Sequence, residues 1–139
     1  MITVARVGEF DRGDVIARSK VAEFAGVDKT LDELLILSAF AWSGEVDGKI
    51  ACVWGLIPPS VLSEQAYLWL LTTDLIEEHK FLFTRYSQRV VEMMLQAYPT
   101  IVGHIDQKEV RAVQWLKWLG AEIIAREDGQ LHFSIRRKD

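Results

Sequence analysis

The dipeptide Asp47-Gly48 stands between two runs that both favour extended backbone, and this pattern restricts the fold more than any other in the chain. Aspartate followed by glycine suits a two-residue primed turn, in which both central residues take positive φ and glycine does so without a Cβ clash. Ala41 to Val46 leads into the turn, and Lys49 to Ile57, rich in β-branched and aromatic residues, returns from it. Pro58-Pro59 ends the second run, because proline cannot donate to a β-ladder. A β-hairpin is predicted here.

The remaining segments alternate around that hairpin. Ile2 to Val7 alternates apolar and polar residues, which predicts a short first strand. Asp11 to Phe24 carries Val15, Ile16, Val21 and Phe24 at loosely helical spacing, and Gly26 supplies a stop. Thr30-Leu31-Asp32-Glu33 has the spacing of a capping box and predicts a second helix from Leu31 to about Phe40. After the loop Ser60 to Gln65, the apolar run Ala66 to Thr73 reads as a central strand covered on both faces.

Glu77 to Tyr98 is predicted as the longest helix, with Phe83, Val90, Val91, Met94 and Leu95 on one stripe and Pro99 closing it. Thr100 to Ile105 reads as a strand. Lys108 to Leu119 reads as a helix with Val110, Val113, Leu116 and Leu119 on one face, stopped by Gly120. Glu122 to Ala125, the turn Asp128-Gly129 and Leu131 to Ile135 form a last hairpin. The order predicts an α/β (α+β) fold, a mixed central sheet of about six to seven strands with four helices. With 139 residues, 1–139 is read as one domain.

Charge and residue usage narrow the function. A net charge of -4 argues against a nucleic-acid binder, which shows a basic excess or stripe. Arg136, Arg137 and Lys138 cluster near the C-terminus and read as a solvated tail. The single cysteine, Cys52, excludes an internal disulfide, and its apolar surroundings read as a small buried hydrophobe. The N-terminal stretch lacks a secretory pattern, and Leu34 to Trp42 falls well short of the roughly 20 apolar residues a spanning helix needs. A cytosolic protein with no membrane partner is expected. His79 and His132 have no companion at metal-ligand spacing, so no metal is expected. Trp115 and Trp118, three apart, read as packing residues, with an interface role as the sharper alternative.

The element order resembles that of the GNAT superfamily of acetyl-CoA-dependent N-acetyltransferases along nearly the whole chain. Gly44-Glu45-Val46-Asp47-Gly48-Lys49-Ile50 is similar to that family's second-to-third-strand hairpin, and Ala112 to Glu122 is similar to its last helix and the turn after it. From the central strand onward the chain also resembles a group of GNAT-like proteins of short-tailed phages, the internal virion protein A group. That likeness is carried by Thr72-Thr73-Asp74, the long amphipathic helix, the Trp-Leu-Lys-Trp-Leu-Gly turn and the hairpin from Asp128 to Ile135.

The superfamily resemblance implies a phosphate-binding loop of the form Q/R-x-x-G-x-G/A after the fourth strand, whose backbone N–H groups grip the cofactor diphosphate. In this sequence the arginine position is Glu78, and the glycine positions are Phe81 and Phe83. Glu77 and Glu78 would repel a diphosphate by on the order of 1 kcal/mol each at a partly exposed site. The phenylalanines would fill the space it needs. No glycine lies between Val61 and Val102, so a shift of register restores nothing. The tyrosine that serves as general acid in many members falls on Leu116, and a nearby asparagine position falls on Glu109.

Asp74, Glu78 and His104 remain as candidate catalytic groups, with Glu77 beside them. Leu71, Thr72 and Thr73 could offer backbone hydrogen bonds to a pantetheine arm. The leading expectation is a non-catalytic phage protein that binds no cofactor and acts through a phage structural or host protein, in the host cytoplasm or the virion. The alternatives are a divergent acetyl-CoA-dependent enzyme acting on a protein amine, and a host-takeover protein that binds a host enzyme.

Overall fold

The computed structural model describes residues 2–8, 13–15, 31–73 and 75–138. In chain order the elements are β1 (Ile2–Arg6), α1 (Leu31–Leu37), β2 (Phe40–Val46), β3 (Lys49–Ile57), β4 (Gln65–Thr72), α2 (Leu75–Glu78), α3 (Lys80–Ala97), β5 (Thr100–Asp106), α4 (Val110–Trp118), β6 (Glu122–Glu127) and β7 (Gln130–Arg136). Residues 13–15 are also helical, and Val15 is buried. The rest of the helix expected over Asp11–Phe24, and Thr30 of the expected capping box, lie outside the described residues.

The seven strands follow the order β1-β2-β3-β4-β5-β7-β6, with β4 and β5 parallel and the outer pairs antiparallel. This is the mixed α/β architecture that the alternating pattern requires. Both hairpin turns form as their sequences dictate. Asp47 and Gly48 take φ of 50° and 82°, and Asp128 and Gly129 take 50° and 77°, the paired positive values of a primed turn.

The chain forms two compact units, Met1–Ile57 with Leu68–Lys80, and Pro58–Tyr67 with Phe81–Asp139. In the first, Leu34 and Leu35 of α1 are buried, as is most of β3. Phe40, Trp42 and Trp54 stack in sequence, with centroids 6.1 and 6.2 Å apart, and the Arg6 guanidinium lies 4.6 Å from the Phe40 centroid. The β2–β3 register shifts between Gly44 and Glu45, a bulge that leaves Ala51 without a partner on β2.

In that unit α1 stops at Leu37, earlier than the Phe40 expected from its sequence. The hydroxyl of Ser38 donates back to the Leu34 carbonyl at 2.7 Å, and Phe40 is already the first residue of β2. The Ser38 N–H still donates to the Leu34 carbonyl, but the next amide, Ala39 N–H, donates to the Leu56 carbonyl of β3, so the chain leaves the helix for the sheet.

In the second unit Val91 and Met94 of α3, Leu116 of α4, and Leu131, Phe133 and Ile135 of β7 are buried. The alternation of β7 accounts for its last three, which share one sheet face. α3 and α4 are tied by Trp115, whose indole N–H donates to Ser87 Oγ at 3.0 Å, while Ser87 Oγ donates to the Thr84 carbonyl at 2.6 Å. α4 ends at Gly120 in a Schellman arrangement. Ala121 N–H donates to the Leu116 carbonyl and Gly120 N–H to the Lys117 carbonyl, with Gly120 at φ 94°. The apolar face expected of α4 is narrower than its spacing suggests, since Leu116 is buried but Val110 is 59% exposed.

The helix expected as one piece over Glu77–Tyr98 is two. α2 spans Leu75–Glu78, His79 forms a turn, and α3 begins at Lys80. The break follows the hydrogen bonds: Ile76 N–H donates to Thr73 and His79 N–H to Ile76, three residues back in each case, so the tighter winding does not pass smoothly into α3.

Candidate active site

Two places hold the candidate residues singled out by the sequence, one in each unit. The first is the run from Thr73 to Lys80 that follows β4. Thr73 closes the strand onto β3: its N–H donates to the Ala51 carbonyl at 2.9 Å, and its hydroxyl reaches the carbonyls of Ile50 and Ala51 at 2.9 and 3.2 Å. The carbonyl of Ala51, set off by the β2–β3 bulge, is thus taken up by Thr73. The Thr73 carbonyl in turn accepts from Ile76.

These bonds have a direct consequence for a diphosphate. An anion cradle needs successive backbone N–H groups turned toward one point. The Thr73 amide is committed to the sheet, and α2, only four residues long, carries Glu77 and Glu78 exposed in its first turn. Those carboxylates already supply the negative charge that a helix N-terminus favours. No glycine in the run lets backbone approach an anion closely. The residues present here do not fit a diphosphate.

Of the backbone groups expected to meet a pantetheine arm, Leu71 is buried and Thr72 is half-buried. Thr73 has its N–H bonded to the Ala51 carbonyl and its carbonyl to the Ile76 N–H. Glu78 is exposed, and Asp74 lies outside the described residues. Phe81 and Phe83 sit in the first turn of α3, in the second unit, and differ in setting. Phe81 is 79% exposed, whereas Phe83 is half-buried.

The second place is on β4, β5 and β7. The parallel register of β4 with β5 pairs Gln65, Ala66 and Tyr67 with Thr100, Ile101 and Val102. Tyr67 therefore shares a sheet face with Val102 and, two residues on, with His104. The Tyr67 hydroxyl lies 2.8 Å from His104 Nδ1, a hydrogen bond, and His104 stands directly across from His132 on β7 with ring centroids 5.9 Å apart. Glu127 of β6 places Oε2 4.0 Å from His132 Nε2. Burial raises the Tyr67 phenol above its ordinary pKa, which keeps it protonated and able to donate through the neutral range.

This row was only partly legible in the sequence. His104 was a candidate because it alternates with Ile105, but Tyr67 and His132 lie 37 and 28 positions away and meet it only through strand register. Chemically the row can pass a proton between a phenol and an imidazole on an exposed surface. Among the described residues no group of three or more His, Cys, Asp or Glu could hold a metal ion. Leu116 is buried, and Glu109 precedes α4 without a capping bond from its side chain. Cys52 is free and buried, its thiol pushed up to about 12 by burial. No described helix is long and apolar enough to cross a membrane.

No protein-family model matches the sequence, and no curated protein matches it. Solved structures do match the fold. An acetyltransferase of the GNAT family from Streptococcus pneumoniae superposes with a TM-score of 0.72 at 12% identity, over 98% of this chain and 99% of that one. A putative acetyltransferase from Salmonella typhimurium, solved with its cofactor acetyl-CoA, gives 0.68 at 10% identity, over 100% and 95%. The ribosomal-protein-S18-alanine N-acetyltransferase from Escherichia coli gives 0.67 at 12%, over 98% and 94%. At such identities the likeness speaks for architecture alone, and the architecture of this chain is the GNAT acetyltransferase fold.

Proposed function

We propose that this chain is a GNAT-fold protein that acts through protein–protein contacts rather than by acyl transfer. The observation that carries this reading is the run from Thr73 to Lys80, where a committed amide and two exposed carboxylates stand in place of an anion cradle. The resemblance of the second half of the sequence to phage internal virion proteins suggests the setting: a phage structural or host protein as partner, in the host cytoplasm or the assembled particle. Isothermal titration with acetyl-CoA tests it. No heat of binding is expected up to about 1 mM ligand, and a micromolar Kd would overturn the reading.

A divergent N-acetyltransferase acting on a protein amine is the second reading, favoured by the hydrogen bond between Tyr67 and His104. Here His104 is the general base and Tyr67 orients its ring. The fold neighbours include acetyltransferases, one of them solved with acetyl-CoA. Labelling of host lysate with radioactive acetyl-CoA distinguishes the two. Transfer by the native chain that His104→Ala abolishes favours the enzyme, and no transfer favours the contact role.

A further inference from the structure

An open groove of about 470 Å³ runs along the second unit, between one stripe of α3, the end of α4 and the end of β7. Its floor is apolar. Val91 of α3 and Ile135 of β7 are buried at its base, and Leu95 and Leu119 are half-buried at its sides. Trp118 stands on its rim, 54% exposed. It lies two residues before the Schellman turn at Gly120, where the helix stops. The other tryptophan of α4, Trp115, is anchored through Ser87. The pair that looks equivalent in sequence is thus divided into one packing residue and one uncovered ring.

The groove is also charged in a definite sense. Arg136, Arg137 and Lys138 line one end, and none of them makes an ion pair among the described residues. A single carboxylate, Glu92, belongs to the lining. Three cations thus cluster beside an apolar floor in a chain whose net charge is -4.

We propose that this groove binds an acidic segment of a partner protein, with one large apolar side chain seated against Trp118 and carboxylates meeting Arg136, Arg137 and Lys138. The inference rests on the protein-contact role proposed above and names the surface and the chemistry of the partner. The apolar floor supplies contact area, exposed tryptophan and arginine are the residue types that dominate such contacts, and the cations select acidic over basic segments.

The test uses the full chain and a fluorescein-labelled peptide in which glutamates flank a central Leu-Phe pair, read by anisotropy. Its counterparts are a lysine-flanked peptide, a glutamate peptide with Ala-Ala at the centre, and an oligo-thymidine strand. The glutamate peptide with Leu-Phe is expected to bind with a Kd below about 0.5 mM, and each counterpart at least about tenfold more weakly. Trp118→Ala, and separately the pair Arg136→Glu with Arg137→Glu, should each weaken it at least about fivefold. All three residues are exposed, so circular dichroism and melting temperature should not move.

Lack of binding at about 1 mM would overturn the proposal. So would equal binding of the lysine peptide, tighter binding of the oligonucleotide, or unchanged affinity in both variants. The acetyl-CoA titration separates this outcome from the role it rests on. Acetyl-CoA binding sinks the contact role, whereas loss of peptide binding alone sinks only the groove.

Discussion

The indole of Trp69 lies against Gly55 so closely that a Cβ on residue 55 would stand 2.7 Å from Nε1 and 2.8 Å from Cε2 and Cζ2. β3 and β4 are neighbours in the sheet, and the Thr73 N–H just past β4 donates to the Ala51 carbonyl of β3, which holds the two strands side by side. Trp69 is buried, and its indole N–H donates to Ser38 Oγ at 2.7 Å, so the ring cannot step aside without giving up that bond.

Gly55→Ala is therefore expected to destabilise the protein by about 1–3 kcal/mol, the usual cost of overpacking a filled core. Urea unfolding measures it. A loss below about 0.5 kcal/mol would show that the ring relaxes freely.

Ser38 links that ring to α1, accepting from Trp69 and donating to Leu34. Ser38→Ala leaves a buried indole N–H without its acceptor and should cost about 1–3 kcal/mol. In a Trp69→Phe background the same substitution should cost less, because the orphaned donor is gone. A double-mutant cycle with no coupling would contradict the relay.

Cys52 should be inert in the native protein. Burial lifts its thiol to about 12 from the ordinary 9.0, so almost no thiolate exists at pH 8. A disulfide reagent at pH 8 is expected to react only as fast as the protein unfolds, and to react at once in denaturant. The raised value makes the thiol's contribution to stability full below pH 9 and progressively lost as pH climbs toward 12. Cys52→Ala should flatten that alkaline decline.

The Tyr67 phenol is raised in the same direction, again by burial. Its contribution holds below the ordinary value of 10.0 and is lost as pH rises through the higher folded value. In an absorbance titration at 295 nm, Tyr67→Phe should remove a phenol that ionises above that ordinary value. Removal of one that ionises at or below it would contradict the burial.

Gly120 holds φ 94° at the end of α4, where a side chain is strained whatever the space around it. Gly120→Ala should lower stability by about 1 kcal/mol, while Gly13→Ala, in a helical segment with open space, should not.

Local chemistry was readable wherever one or two residues decide the backbone. Asp47-Gly48, Asp128-Gly129 and Gly120 specify positive φ, and the structure has it at each. The strand runs were legible from β-branched and aromatic content, and the lack of any glycine from residues 61 to 102 needs no coordinates. Helix limits were less legible. α1 ends where the Ala39 N–H turns to the Leu56 carbonyl of β3, a distant partner, and the break at His79 carries neither glycine nor proline to announce it.

What the sequence by itself determined about this protein is its order of strands and the hairpin turns that join them, because turn chemistry and periodicity act over a few residues. Only the tertiary structure decided which distant side chains meet. Tyr67, His104 and His132 form a row because strand pairing brings residues 37 and 28 positions apart onto one face. Gly55 matters because the neighbouring strand sets an indole against it, and Trp118 differs from Trp115 because Ser87 on α3 reaches only one of them. Register and helix packing are collective choices of the whole chain, and no short stretch of sequence encodes them.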